Sequence, residues 1–74
     1  MLNACDMNDS SFFCIINTHE HYYLGFFKND TNGYRVPAIS PNLSDALKLT
    51  FEEEAQKIIK ALGSNIWKVK KVTI

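Results

Sequence analysis

Residues 50–63 read TFEEEAQKIIKALG, and this stretch decides the fold. Thr50 followed three residues later by Glu53 has the form of a capping box, which predicts a helix opening at Thr50. Glu52, Glu53 and Glu54 occupy the first turn, where carboxylates favour the positive end of the helix dipole, and Lys57 and Lys60 lie nearer the negative end. Gly63 supplies a left-handed residue to stop the helix. Phe51, Ala55, Ile58, Ile59 and Leu62 recur at helical spacing and form one apolar stripe. A stripe of that width needs a sheet or a second helix to cover it.

The sheet is legible upstream and downstream. Residues 11–18 (SFFCIINT) are short, aromatic and β-branched, with Phe12, Cys14 and Ile16 on one face and Phe13, Ile15 and Asn17 on the other. Two apolar faces mark an interior strand. The polar Thr18-His19-Glu20 makes a turn into residues 21–28 (HYYLGFFK), where Gly25 in mid-strand predicts a bulge or a close neighbour. Asn32-Gly33 is a strong hairpin signal and returns the chain through residues 34–40 (YRVPAIS). Pro37 cannot donate to a ladder, so that strand belongs at an edge. Residues 43–49 (LSDALKL) fit either a helical turn or a short strand. The turn is preferred, with Leu43, Leu47 and Leu49 plugging the core. Residues 65–74 (NIWKVKKVTI) form a last strand, and the Lys70-Lys71 pair that interrupts its alternation suggests a bulge there.

A right-handed crossover from the third strand would lay the fourth parallel beside the first. The expected architecture is α+β: a four-stranded mixed sheet, β-β-β-α-β with spatial order 4-1-2-3, and one helix on one face. Residues 11–74 make one domain. The polar residues 1–10 lack periodicity and are expected to be flexible, with Met7 as an alternative start.

A chain of 74 residues lies near the lower size at which one core suffices. No apolar run approaches the roughly 20 residues that span a bilayer, and the start lacks a signal peptide's basic and apolar regions. The expected location is the cytoplasm, or the host cytoplasm for a phage-encoded chain. Cys5 and Cys14 fit that setting as free thiols, with a Cys5–Cys14 disulfide as the alternative. Net charge is zero but unevenly spread: residues 1–47 carry five acids and two bases, residues 48–74 three acids and six lysines. Lys68, Lys70 and Lys71 give the last strand a mild basic edge.

Candidate chemistry is sparse. His19 and His21, two apart on a strand, point the same way and could ligate zinc with Cys14 or Cys5. The segment otherwise reads as a solvated turn, and neither a metal nor any other cofactor is expected. A Cys14–histidine pair lacks the electropositive, accessible setting that activates a thiolate. The Glu52–Glu54 run is accounted for by capping, and Gly25, Gly33 and Gly63 are isolated rather than a phosphate loop. These features predict no enzyme.

The run YYLGFF, a turn, LSDALKL-TFEEEAQKII and a closing W-K-V-K strand resembles small proteins of phages and prophages in Gram-positive bacteria. These often show a YLG … DA … F … EEA pattern, and the resemblance covers about residues 12–73. Its motifs mark turns, caps and core positions and carry over no site residues. The resemblance implies a phage or mobile-element origin. Proteins of this kind commonly bind and inhibit a host enzyme or defence complex, anti-CRISPR proteins being one example.

The expected function is therefore a non-catalytic inhibitor of a bacterial host protein, with Tyr22, Tyr23, Phe27, Trp67, Lys68, Lys70 and Lys71 as interface candidates. The alternative is a single-stranded nucleic-acid-binding module that stacks bases on the sheet aromatics and tracks phosphates with the lysine edge. Zero net charge weighs against it. One helix also covers one sheet face only, so the helix-free face is expected to be an interface, in its simplest form a homodimer.

Overall fold

The computed structural model describes residues 11–73. The expectation of a flexible segment over residues 1–10 lies outside the described residues. The elements run β1 (Ser11–Ile16), β2 (Tyr22–Asn29), β3 (Arg35–Ser40), a single 3-10 turn (Leu43–Asp45), α1 (Glu52–Leu62) and β4 (Lys68–Thr73). The sheet order is β3-β2-β1-β4, the neighbour set expected from the sequence, with one helix beside it.

The pairings among the four named strands are all antiparallel, so β4 does not run parallel to β1 as expected. The reason lies in residues 46–49. β1 and β2 pair directly only at Ile16 and Tyr22, at their turn end. Below that point they part, and residues 46–49 fill the gap. The Phe13 N–H donates to the Leu49 carbonyl and the Leu49 N–H to the Phe13 carbonyl, each at 2.8 Å. On the other side the Leu47 N–H donates to the Tyr23 carbonyl at 3.1 Å. This extra pass carries the chain back along the sheet before the helix begins. The helix then returns it, and β4 must descend antiparallel to β1, with Ile16 opposite Lys68 and Ser11 opposite Thr73.

Side chains of the inserted pass alternate as in a strand. Ala46 is buried with Cys14, Ile16 and Tyr22 on the helix-free face. Leu47 and Leu49 pack with Ile15, Tyr23, Ala55 and Trp67 on the helix face. Both readings of LSDALKL are thus realised in succession, a turn and then a short extended pass. Leu43, expected as a core plug, lies at the surface because it belongs to the turn. That turn is tied to the end of β3: the Ser40 hydroxyl donates to the Asp45 carboxylate at 2.8 Å and accepts from the Asn42 N–H at 3.1 Å.

Two irregularities differ from expectation. The β1–β4 register runs unbroken through Lys70 and Lys71, so no bulge lies there. Lys71 takes its alternating place beside Phe13, with its ammonium 6.0 Å from the Phe13 ring centroid, a contact that keeps the charge near solvent over an aromatic face. The bulge is in β2, where three residues between Tyr23 and Phe27 oppose one residue of β3. Gly25 sits there with φ +99°, and a Cβ on it would lie 3.3 Å from Leu47 Cδ1. Both the bulge and the close neighbour are present, and the neighbour is the inserted pass.

The helix opens one residue later than the capping box predicted. Leu49 is held in the sheet, so the chain stays extended through Phe51 (φ −120°, ψ 140°), which becomes the N-cap. Phenylalanine offers no side-chain acceptor. Only the returning half of a box forms, with the Glu54 carboxylate accepting from the Phe51 N–H at 3.2 Å. Phe51 consequently lies outside the apolar stripe, 61% exposed, while Ala55 is buried and Ile58, Ile59 and Leu62 pack against the sheet. Gly63 ends the helix with φ 72°, as expected. Glu54→Ala should therefore destabilise the fold by about 0.5–1 kcal/mol, and Thr50→Ala should stay within about 0.5 kcal/mol of wild type. Urea melts of both variants check this; the reverse ranking would return the cap to Thr50.

Candidate functional site

The seven residues singled out from sequence do not form one surface. Tyr23, Phe27 and Trp67 lie on the helix side as a ladder of edge-on rings, with centroids 6.3 Å apart for Tyr23–Phe27 and 6.0 Å for Tyr23–Trp67. Tyr23 and Trp67 are buried, so only Phe27 presents a face to solvent. Tyr22 is buried on the opposite face, beneath Lys70, whose ammonium donates to the Tyr22 hydroxyl at 3.3 Å and sits 5.6 Å from its ring. Lys68 stands beside Ile16 on the same face, and Lys71 is on the helix side beside Phe13. No stacking platform for bases results from Tyr22, Tyr23 and Trp67.

The helix-free face carries a buried cluster of its own. Cys14, Ile16 and Tyr22 are buried there, and Phe12 lies half-buried with the Lys48 ammonium 5.6 Å from its ring. An open depression of about 400 Å³, lined by Ile16, Glu20, Lys68, Val69 and Lys70, is set between β4 and the β1–β2 turn. Of the aromatic residues on this face, Tyr22 is buried and Phe12 half-buried.

Exposed aromatics gather elsewhere. Past the bulge, residues 25–35 are all exposed, so the outer half of the β2–β3 hairpin stands as an arm beyond the packed body. Its tip is a three-residue loop: the Asp30 N–H donates to the Tyr34 carbonyl at 2.8 Å, the Gly33 N–H to the Asp30 carbonyl at 3.1 Å, and Gly33 takes φ +86°. The Asp30 carboxylate accepts from the N–H groups of Asn32 (2.8 Å) and Tyr34 (2.9 Å), which stiffens the loop. On this arm Phe26 is 56%, Phe27 40% and Tyr34 70% exposed, and the Arg35 guanidinium lies 6.0 Å above the Phe27 ring. Phe26, Tyr34 and Arg35 were not singled out from sequence. The signal available was Gly25: a bulge that ends pairing with the body also ends burial of whatever aromatic residues follow it.

Two polar constellations are structural. The buried Asn17 side chain accepts from the backbone N–H groups of His19 (2.9 Å) and His21 (3.0 Å), and the Glu20 N–H donates to the Asn17 carbonyl at 3.0 Å. Glu20 takes φ +62° to close this tight turn. Asn17 thus satisfies backbone donors that a turn leaves unpaired. Among the described residues no three histidine, cysteine, aspartate or glutamate side chains converge as a metal site. Cys14 is a free, buried thiol. Burial pushes its pKa up, against the opposing pull of the nearby Lys70 and Lys48 charges. Among the described residues no helix is long and apolar enough to cross a membrane.

No family model matches the sequence, and no curated protein or solved structure shows significant similarity to it.

A buried, protonated Cys14 has a measurable signature. With Cys5 replaced by serine, Cys14 should react with a thiol–disulfide reagent only as fast as the fold opens, and faster in denaturant. Immediate stoichiometric labelling at neutral pH would contradict that placement.

Proposed function

We propose that this chain is a non-catalytic interaction protein that binds and blocks a bacterial host protein, and that the β2–β3 arm is its principal contact. One observation carries the reading. Three aromatic side chains and an arginine, the residue types that dominate binding hot spots, are held in solvent on one stiffened hairpin. Exposing Phe26, Phe27 and Tyr34 forgoes burial that would stabilise a small domain, at roughly 25 cal/mol for each Å² left in water. The other candidate groups among the described residues have structural places: Cys14 is sealed in the core, and His19 and His21 belong to a turn built on Asn17.

The bacterial target and the inhibitory outcome rest on the resemblance to small phage and prophage proteins, anti-CRISPR proteins among them, and place the site of action in the host cytoplasm. The nucleic-acid alternative has no support from Tyr22, Tyr23 or Trp67, whose rings are buried. The homodimer expected through the helix-free face is not part of this reading, since Cys14, Ile16 and Tyr22 are already buried in one copy.

The test compares wild type with a triple Phe26→Ala, Phe27→Ala, Tyr34→Ala variant, immobilised at equal density against lysate of a Gram-positive bacterium. A saturable partner should be retained by wild type and held at least about tenfold more weakly by the variant, the loss of even one hot-spot residue being worth about 2 kcal/mol. The variant's melting temperature should be close to that of wild type. Equal retention by a folded variant would remove the arm from the interface.

A further inference from the structure

The two edges of the sheet are not equivalent, and the difference selects a ligand. In an antiparallel pair, successive residues turn their N–H and C=O groups alternately toward and away from the partner strand. Phe13 gives both of its groups to Leu49, away from β4. Its neighbours Phe12 and Cys14, with Ile16, therefore face β4 and bond to Val72, Lys70 and Lys68 in the observed register. The backbone groups of Val69, Lys71 and Thr73 are left pointing outward. Among the described residues no strand lies beyond them.

The other edge lacks this continuity. Tyr34 gives its carbonyl to Asp30 across the hairpin, so Arg35, Pro37 and Ile39 turn outward on β3. Pro37 sits in the middle of that row with no N–H, which blocks an added strand. β4 has neither a proline nor a bulge over its six residues. It is the edge competent for strand addition.

Its side chains decide what can add. Lys68, Lys70 and Lys71 are exposed, and no carboxylate among the described residues forms an ion pair with them. A second copy pairing edge to edge about a two-fold axis at Val69, Lys70 or Lys71 would set lysine directly opposite lysine, which destabilises a ladder. An acidic strand meets the opposite situation.

We propose that the β4 edge binds an extended acidic segment of a partner protein by strand addition, main-chain bonds forming at Val69, Lys71 and Thr73 and carboxylates lying beside Lys68, Lys70 and Lys71. The depression beside Lys68 and Lys70 is also lined by Glu20, so the acidic side chains on the helix-free face are met by the lysine ammonium groups at the β4 edge rather than seated within it. This surface is on the opposite side of the sheet from the arm and does not depend on it. Main-chain bonds supply the register, and the charges exclude the wrong strand.

The probe is a blocked hexapeptide, Thr-Val-Glu-Glu-Val-Glu, which places its glutamates opposite Lys71, Lys70 and Lys68 when antiparallel. Titrated into the isotope-labelled full chain, it should shift the Val69, Lys71 and Thr73 amides saturably and slow their exchange with solvent. N-methylation of the first glutamate, whose amide faces Lys71, should weaken binding about tenfold or more, since it removes a main-chain bond and adds a clash. N-methylation of the second, whose amide faces away, should leave affinity within about twofold. A peptide with lysine in place of glutamate should not bind, and a Lys70→Glu, Lys71→Glu chain should reverse the preference. The arm variant should bind the glutamate peptide as wild type does, so failure here and failure of the arm are separate results. Absence of shifts at those amides, equal binding of the lysine peptide, or indifference to which amide is methylated would overturn the proposal.

Discussion

The structure depends on one reciprocal pair of backbone hydrogen bonds, Phe13 with Leu49. β1 and β2 touch at a single residue pair and then diverge, which would leave facing N–H and C=O groups without partners in the interior. Residues 46–49 enter that gap and bond to both sides, to Phe13 on β1 and to Tyr23 on β2. Much else follows from that insertion. It reverses the chain before the helix, so β4 is antiparallel. It holds Leu49 extended, so the helix opens at Phe51 rather than Thr50. It lays Leu47 against Gly25, where φ +99° favours glycine and an added Cβ would meet Leu47 Cδ1 at 3.3 Å. The bulge at that glycine then releases the outer hairpin from the body.

Those dependencies explain what could be read from the chain and what could not. The helix stripe at Ala55, Ile58, Ile59 and Leu62, the stop at Gly63, the edge position of Pro37 and the interior position of β1 each rest on local chemistry, and each is in place. The inserted pass is different. Over four residues, Ala46 to Leu49 satisfies an alternating pattern as well as a turn of helix, and neither period is long enough to win. Which one holds is set by a gap between β1 and β2 that no local pattern records. A parallel fourth strand follows only when the chain runs from β3 to the helix without that pass. Lys70-Lys71 misled for a related reason: a lysine on an apolar face need not break a strand when its stem can lie beside Phe13 and its ammonium can reach solvent.

The candidate site was less legible than the fold. Aromatic identity does not report exposure, and Tyr22, Tyr23 and Trp67 are core residues on two different faces. Phe26 and Tyr34 are of the same chemical kind and stand in water, because pairing with the body ends at the bulge before them. The molecule thus separates its surface chemistry. Aromatic side chains with Arg35 project at one side, and lysines line the opposite edge of the sheet. The lysines of that edge form no ion pair with a carboxylate among the described residues, which keeps their charges available for encounter with a partner.

Native-state hydrogen exchange tests the central claim most directly. If residues 46–49 are an integral pass of the sheet, the Leu47 and Leu49 amides should exchange as slowly as that of Phe13, and all three should open only with the whole fold. Their exchange should then accelerate with denaturant in step with global unfolding. Exchange of Leu47 and Leu49 at the rate of the Asn32 loop, with β1 still protected, would show that the segment is an ordinary surface connection. The antiparallel β4, the helix start and the projecting arm would then need another cause.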